Sequence, residues 1–473
     1  MENSGQLWDF VGDTLGDLRP AFSRTATFCW FAMIVVGMLI RGDLLGVTSL
    51  VRATSLPGWA YDRLLDAFHS PAWCVDKVAM IWTRIVFARF PLVKVNGLPI
   101  LVADGIKRPK SGRKMPGVKR LFQCSESNTK PEYINGHSLQ SIGVLVQGLK
   151  KISCVTLLVE LVEGLVFTNR DHRTMLDKLA EMTARLELAG CYLVADAYYN
   201  ACELRDKLKG QDIWLISRAR NNAVAYWQPD SARKKRRGRP SLYGERVELK
   251  DLAGDWTGSM PSPFEGEEEI ILQFRHANLL VKPTATLLRF VIASHPTKGM
   301  IILTSTDLTL APEDIICIYA LRFKIEIGFK DAIHNVGAFG YHFWMAGMKR
   351  LPRLPKKQHF HHVDPKYRQA IRRKVAAYHR FMQAGTIAHG IMIGLAVLYP
   401  VVVWQNFNSW MRTMNPAGMP TIFVVFHALR STSPDFPRAL AKQLALHKFM
   451  KRVFARDSLN RHPEAEDGLP EAM

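Results

Sequence analysis

The first ninety residues carry apolar positions at helical spacing, interrupted by the pairs Pro57-Gly58 and Ser70-Pro71. This spacing predicts short helices, and Pro-Gly and Ser-Pro pairs predict the turns between them. The predicted helical segments are 24–40, 44–53, 62–68 and 74–90. Short helices with Arg and Trp between them suit a helical N-terminal DNA-binding domain over residues 1–90, and a plain helical docking domain fits the pattern equally well.

Beyond residue 91 the pattern changes to short apolar runs rich in Val, Ile and Leu, which predict strands. A helical segment at 174–189, with Gly190 placed to end it, interrupts these runs. Strands first, and then alternation of helix and strand, predict an α/β domain with a mixed sheet flanked by helices. The predicted strands are 98–103, 141–147, 153–162, 191–195 and 212–217.

The segment 221–310 is predicted to be a β-rich insertion that opens with a basic loop at 233–240. A long helix should then begin at Pro312, because proline suits the first turn of a helix, and Gly337 should end it. The strand-like stretches of the insertion are 270–274, 285–293 and 300–304.

The C-terminal part of the chain is predicted to contain a basic linker at 349–374, an apolar helix and a helical region that ends in an acidic, disordered tail at 463–473. The apolar stretch 381–404 carries no charged residue over 24 positions, which is long enough to cross a membrane. It also contains Gln383, His389 and several small residues, so we predict a buried core helix that ends before Pro400. A membrane span remains the alternative.

The charge balance points to a polyanionic partner. Sixty-three Lys and Arg residues oppose 42 Asp and Glu, which gives a formal net charge of +21 and an isoelectric point near 9.7. Such an excess favours nucleic acid or an anionic membrane surface as partner, although a basic protein kept soluble by its charge is the simpler alternative. The cysteines are scattered and odd in number, which fits a reducing cytoplasm.

Three acidic residues stand in positions that suit catalysis. Asp104 and Asp196 each follow an apolar strand, at the strand end where a sheet presents side chains to a crevice. Glu326 falls on the predicted helix in one stripe with Tyr319, Arg322 and Lys330. Taken singly, each aspartate could merely start a turn, and the stripe could be an i, i+4 ladder of ion pairs. Taken together, they predict one cluster of three carboxylates.

Three clustered carboxylates repel one another, by about 4 kcal/mol per pair at roughly 4 Å in an effective dielectric of about 20. Mg²⁺ or Mn²⁺ would remove that repulsion, because both ions prefer hard oxygen ligands. Two such ions can activate a water or a 3′-hydroxyl and stabilise the leaving oxygen of a phosphodiester. The cluster therefore predicts a site for two divalent ions.

The arrangement resembles the DDE transposases of bacterial insertion sequences, in the branch with a Tyr-x2-Arg-x3-Glu-x6-Lys signature and a β-rich insertion. The segments that carry the resemblance are Leu101-Val-Ala-Asp104-Gly, Tyr192-Leu-Val-Ala-Asp196-Ala-Tyr-Tyr and Tyr319-x2-Arg322-x3-Glu326. The resemblance implies an RNase H-like catalytic core in which Asp104, Asp196 and Glu326 are the catalytic and metal-binding residues. It also implies that Tyr319 and Arg322 grip a phosphate near the cleaved end.

One position departs from the family signature. The lysine of the signature falls on Ile333 in this chain, and Lys330 lies one turn earlier on the same face of the helix. Lys330 is therefore the candidate replacement for the lysine that grips a phosphate in this family.

Two basic segments are candidate DNA contacts. A segment without acidic residues follows Asp104 and should steer the DNA backbone into the site, with a solvated surface loop as the alternative. The insertion carries an Arg-Gly-Arg-Pro sequence like the core of an AT-hook, which reads the minor groove, although contact with phosphates alone would also explain it. The candidate residues are Lys107, Arg108, Lys110, Arg113, Lys114, Arg237 and Arg239.

The resemblance implies a DNA transposase that binds terminal inverted repeats, cleaves phosphodiester bonds and joins 3′-hydroxyl ends to target DNA. It implies a homodimer on paired ends, in the bacterial cytoplasm and associated with the nucleoid, without a membrane. A nuclease of the RNase H fold without strand transfer and a catalytically degenerate DNA-binding protein are the alternatives. The implied divisions are 1–90 for DNA binding, 91–220 and 311–400 for the catalytic core, 221–310 for the insertion and 401–473 for the C-terminal region.

Overall fold

The computed structural model describes residues 4–44, 46–123, 131–229, 241–411, 414–437 and 444–460. The predicted basic loop at 233–240, with Arg237 and Arg239, and the predicted acidic tail at 463–473 lie outside these residues.

The N-terminal region is helical, as predicted, and begins with a helix that the sequence analysis missed. That first helix contains three glycines, so its helical propensity is low, but Leu7, Val11 and Leu15 bury one face of it in the core. The second helix is buried along most of its length and packs on later helices of the chain. The helices are α1 (Ser4–Leu18), α2 (Thr25–Ile40), α3 (Thr48–Ala53), α4 (Ala60–His69) and α5 (Val75–Arg89).

A mixed sheet flanked by helices forms the centre of the molecule, which confirms the predicted α/β class. Each strand predicted from an apolar run is present. The elements in chain order are β1 (Lys94–Val95), β2 (Leu98–Pro109), β3 (Lys119–Phe122), β4 (Tyr133–Gln147), β5 (Ile152–Leu161), β6 (Leu165–Val166), α6 (Met175–Arg185), β7 (Cys191–Ala195), α7 (Cys202–Lys209) and β8 (Ile213–Arg218).

Five of these strands lie side by side in the order β5-β4-β2-β7-β8. The pairs β5–β4 and β4–β2 are antiparallel, whereas β2–β7 and β7–β8 are parallel. Parallel neighbours need crossover connections, and the helices α6 and α7 provide one before β7 and one before β8. This order places the carboxyl ends of β7 and β8 at one edge, beside the middle of β2.

The segment between β8 and the Glu326 helix contributes further antiparallel strands to the same sheet, through the pairing of its last strand with β8. The three strands predicted here are present, and each is longer than its apolar run because polar residues continue the pairing. The strands are β9 (Val224–Tyr226), β10 (Arg246–Glu248), β11 (Gly258–Pro261), β12 (Ile271–Val281), β13 (Thr286–His295) and β14 (Gly299–Ser305).

Two predicted element ends differ from the structure. The strand β2 does not stop at Asp104 but runs on to Pro109, because β4 continues to pair with it on its other side. The helix α6 ends at Arg185, and Gly190 does not cap it; the left-handed Gly190 instead forms the turn that leads into β7.

The predicted long helix over Glu326 is divided. It consists of α8 (Pro312–Ala320), a 3₁₀ turn at Leu321–Phe323, α9 (Lys324–Asp331) and a π turn at Ala332–Val336. Gly337 ends it with a left-handed backbone (φ 68°), as predicted. The helix is not buried all round, because the apolar side chains of Phe323 and Ile327 are 38% and 43% exposed.

The apolar helix α10 (Pro365–Leu398) is the longest element and begins within the segment predicted to be a linker, where Asp364 caps it. By length and composition it could cross a membrane, but 89% of its most apolar window is buried inside the fold, as the predicted core helix requires. It ends before Pro400. The remaining helices are α11 (Pro400–Gln405), α12 (Ile422–Ser431) and α13 (Leu444–Asn460).

Small residues let α10 pack closely against its neighbours. A Cβ atom on Gly390 would stand 2.3 Å from Cζ2 of Trp82 on α5. The Trp82 ring is fully buried, and its Nε1–H donates to the Thr156 carbonyl at 3.0 Å, so it cannot easily move aside. This contact joins α10, α5 and β5 in one core.

We expect Gly390→Ala to lower the free energy of unfolding by about 1 to 2 kcal/mol. Overpacking a core costs about 1–3 kcal/mol, and an approach of 2.3 Å to a fixed ring belongs in the upper part of that range. The helical preference of Ala over Gly returns about 1 kcal/mol of this cost. Chemical denaturation measures the change. The matched control is Gly58→Ala, because a Cβ there meets nothing within 4 Å, and it should change stability by less than about 0.5 kcal/mol. Equal stabilities of the two variants would contradict the packing described here.

Candidate active site

The parallel register of β2 and β7 brings the two aspartates together. Val102 pairs with Val194, and Asp104 and Asp196 each follow two residues later. Parallel neighbours lie about 4.8 Å apart, and residues two positions apart on a strand face the same side. Since both valines face the apolar cluster that contains α8 and α9, the aspartates emerge on the side of the sheet where Glu326 lies.

One oxygen of each aspartate accepts from a backbone N–H. Gly105 N–H donates to Oδ1 of Asp104 at 2.7 Å, and Tyr198 N–H donates to Oδ1 of Asp196 at 2.9 Å. The bond to Asp196 caps the short 3₁₀ turn that follows β7. The backbone therefore fixes the direction of both carboxylates before any ligand binds.

Arg322 links the third acidic residue to the first. Its Nη1 lies 3.2 Å from Oδ2 of Asp104, and its Nη2 donates to Oε1 of Glu326 at 2.7 Å. The arginine stands in the 3₁₀ turn between α8 and α9, and its side chain is 21% exposed. The predicted ladder from Arg322 to Glu326 is thus present, but it ends on Asp104 of the sheet and so joins helix and sheet at one point.

The pKa of Asp104 depends on its burial and on the charges around it. Burial raises the pKa of Asp104 to about 6, and the carboxylates of Asp196 and Glu326 raise it further, while Arg322 and the Gly105 N–H oppose the shift. Burial acts to lower the pKa of Arg322, but Asp104 and Glu326 overcome it and raise that pKa. The site therefore holds more negative charge than its single arginine balances.

The carboxylates do not form a ready-made metal cage. Within the described ranges, no group of three or more His, Cys, Asp or Glu side chains is arranged to hold an ion. The side chain of Glu326 is 53% exposed, however, so it has room to adopt other rotamers. The oxygen atoms of Asp104, Asp196 and Glu326 are the ligands that a hard divalent ion prefers.

Residues 127–336 match the family model described as the transposase DDE domain. This part of the chain, which is less than half of its 473 residues, is therefore similar to the transposase DDE domain. The match contains Asp196 and Glu326, whereas Asp104 lies before its start. It begins near β4 and ends at the π turn that follows α9.

No curated protein matches the chain. Among solved structures, the piggyBac transposase synaptic complex with hairpin DNA has a TM-score of 0.37 and 11% identity, over 95% of this chain and 78% of that one.

Of the other predicted signature residues, Tyr319 lies near the carboxylates. Burial raises the pKa of Tyr319, and its neighbours Arg322, Arg218 and Asp196 also act on it. Lys330 is exposed at the end of α9. Ile333 is half-buried and packs against both main apolar clusters.

The basic segment after Asp104 is only partly a surface. Lys107 is exposed, whereas Arg108 is half-buried, with an Nε that has no partner. Arg113 and Lys114 each donate one bond to the loop after the π turn, at Leu351 O (3.0 Å) and Ala346 O (2.7 Å). The segment therefore fastens a distant loop to β2 as well as presenting charge.

The predicted DNA contact at Lys110 needs correction. The residue is 7% exposed, and its amine donates to the carbonyls of Phe339 (2.7 Å) and Tyr341 (3.0 Å). The amine also lies 3.6 Å from the centre of the Tyr341 ring. Lys110 is a structural residue here, and a single sequence cannot distinguish it from its exposed neighbours.

Sequence reasoning also missed a buried polar pair beneath the aspartates. The Nε2–H of Gln140 donates to the hydroxyl of Tyr199 at 3.2 Å, and both side chains are buried. Burial is the main cause that raises the pKa of the Tyr199 hydroxyl, and the carboxylates of Asp104 and Asp196 raise it further. The position of Tyr199 three residues after Asp196 was the available signal.

The burial of Lys110 predicts a pH dependence of stability. Burial lowers the pKa of Lys110 from 10.5 to about 7, with Arg108 as a second cause. Between these values the unfolded chain keeps a proton that the folded chain releases, so this group makes the protein more stable as the pH rises. From about pH 7 to pH 8.5 the gain should be about 1.5 kcal/mol.

Urea denaturation of the wild type and of Lys110→Met at both pH values isolates the effect, because other titrating groups are common to the two proteins. The gain should be present in the wild type and absent in the variant. Parallel pH profiles would show that Lys110 titrates normally and is not buried in solution.

Proposed function

We propose that this protein is a metal-dependent DNA transposase whose catalytic residues are Asp104, Asp196 and Glu326. The observation that carries the proposal is their convergence: the β2–β7 register sets the two aspartates side by side, and Arg322 bridges Asp104 to Glu326. The match of residues 127–336 to the transposase DDE domain supports the same reaction class.

The order of the five central strands supports an RNase H-like core. Three antiparallel strands, β2, β4 and β5, come first in the chain, and two further strands, β7 and β8, then add in parallel on the other side of β2. In this proposal the first aspartate lies on the central strand, the second lies at the end of the neighbouring one, and β9–β14 form the insertion before the Glu326 helix.

The residues present fit Mg²⁺ or Mn²⁺, in the two-ion arrangement that the sequence predicts. Asp104, Asp196 and Glu326 would hold the ions, which would supply an activated water or 3′-hydroxyl and charge stabilisation at the phosphodiester. The fit follows from the two carboxylates whose direction a backbone N–H fixes, from the exposed carboxylate of Glu326, and from the presence of three carboxylates with one bridging arginine.

The remaining residues of the site would hold the DNA. Arg322 uses two of its guanidinium nitrogens on carboxylates, and its other N–H groups could grip a phosphate, as Arg does in bidentate contacts. Tyr319 and Lys330 would add contacts on the same side. The proposed partners are terminal inverted repeats and target DNA, bound by a homodimer on paired ends.

One observation favours a second candidate, a DNA-binding protein with a degenerate site. The signature lysine is absent, and Ile333 in its place is committed to the core. Mg²⁺-dependent cleavage of duplex DNA from the ends of the element would exclude this candidate. Joining of a labelled 3′ end to target DNA would separate a transposase from a nuclease of the same fold.

We expect Asp196→Asn to abolish strand cleavage while leaving DNA binding within about threefold of the wild type. The substitution removes the ligand charge but keeps the size of the side chain, and loss of an essential metal ligand typically costs several orders of magnitude in rate. Gel assays with labelled duplex measure both properties. The control is Asp251→Asn, an exposed acidic residue in a 3₁₀ turn of the insertion, which should cleave normally. Full cleavage by Asp196→Asn would refute the proposal.

A further inference from the structure

Two segments that lie far apart in the chain build one strongly basic surface. Residues 107–123 and 345–363 contain no Asp or Glu, and each is rich in Lys and Arg. We call six of their exposed cations the basic face. Its members are Arg120, Lys349, Arg350, Arg353, Lys356 and Lys357.

Hydrogen bonds to backbone groups fasten the second segment beside β3 and the start of β4. Arg120 N–H donates to Pro355 O at 2.8 Å, and the Asn135 side chain donates to Arg353 O at 2.9 Å. The Gln358 side chain accepts from Gly117 N–H at 3.2 Å and donates to Val118 O at 2.8 Å. The basic face is therefore held by the sheet and does not depend on a freely moving loop.

The members of the basic face form no ion pair within the described parts of the chain. Glu163, which acts on Lys357 from a distance, is already paired with Lys119. The guanidinium of Arg120 lies 4.0 Å from the centre of the Tyr133 ring. Six uncompensated cations on one rigid surface repel one another unless a polyanion covers them.

The basic face lies across β4 from the strand that carries Asp104 and begins level with the far end of that strand. Pro109, at the end of β2, is level with Lys119 of β3, because both pair with Gly136 of β4. Five residues of strand separate Pro109 from Asp104, a distance of roughly 17 Å at about 3.3 Å per residue. That distance corresponds to about five base pairs of duplex, at roughly 3.4 Å each.

We propose that the basic face binds the phosphate backbone of duplex DNA, beginning about five base pairs from the phosphate at Asp104. This inference rests on the proposed function and assigns to the 345–363 segment a binding role that its sequence did not reveal. Arg and Lys spread along a sheet edge suit a regular array of phosphates, and contacts of this kind fix the register of the DNA without reading its sequence.

The test compares two triple variants with the same change in charge. One is Lys349→Gln, Arg353→Gln, Lys356→Gln on the basic face. The control is Lys94→Gln, Lys150→Gln, Lys151→Gln, three exposed lysines near the opposite end of β4. Both are made in the Asp196→Asn protein with EDTA present, so that cleavage does not interfere. The probes are duplex DNA from the flank of the reading frame and random duplex of equal length.

Loss of three phosphate contacts should make the slope of log K against log salt less steep by about 2 to 3, and should weaken binding at least about tenfold near physiological salt. Both probes should be affected alike, and the control variant should keep the slope of its parent. Circular dichroism and thermal melting should show both variants folded. In ethylation interference, ethylated phosphates about five base pairs from the cleavage site and beyond should weaken binding of the parent protein but no longer weaken binding of the basic-face variant.

An unchanged slope in the basic-face variant would overturn this inference, while leaving the proposed function intact. Equal losses in the control variant would also overturn it, since the effect would then be one of overall charge. Displacement of the duplex by polyglutamate at equal charge concentration would show a general site for acidic chains and would equally overturn it. Failure of the proposed function is a different result, in which unsubstituted protein neither cleaves nor retains the flank DNA.

Discussion

The parallel pairing of β2 with β7 is the constraint on which the candidate active site depends. Val102 and Val194 are buried under α8 and α9, and their pairing sets Asp104 and Asp196 at neighbouring places on one face. A slip of one residue would turn one of these aspartates to the other side of the sheet. The apolar contacts of the valines therefore determine where the charged residues meet, although the valines themselves take no part in the chemistry.

Arg322 makes that meeting tolerable in the protein alone. Two carboxylates about 4 Å apart repel by roughly 4 kcal/mol in an effective dielectric of about 20, and the arginine offsets part of this by bridging helix and sheet. Burial is the main cause that raises the pKa of Asp104 to about 6, and Asp196 and Glu326 add to the shift against the opposing effect of Arg322. Three carboxylates with one bridging arginine leave net negative charge, which divalent ions would offset under the proposed function.

Much of the fold followed from the sequence because the buried strands are runs of Val, Ile and Leu. The extension of β2 beyond Asp104 did not, since Lys107 and its neighbours are polar and pair with β4 without being buried. The first helix was missed because its glycines hide its periodicity. In the site, the three acidic residues were predictable from position and resemblance, whereas the burial of Lys110 depends on a loop more than two hundred residues away. Such long-range contacts leave no local pattern.

The departure at Ile333 is coupled to the packing of the helix that carries Glu326. The π turn after α9 rotates Ile333 into both apolar clusters, and Gly337 then ends the helix in a left-handed conformation. These contacts are apolar, and a long side chain at a half-buried position of this kind can still reach solvent with its charged end. Because Ile333 itself carries no charge, positive charge for a phosphate would have to come from exposed side chains such as Lys330, and from Arg322 within the site. Under the proposed function, the absence of the signature lysine therefore moves the contacts that hold DNA from the Glu326 helix towards the surrounding surface.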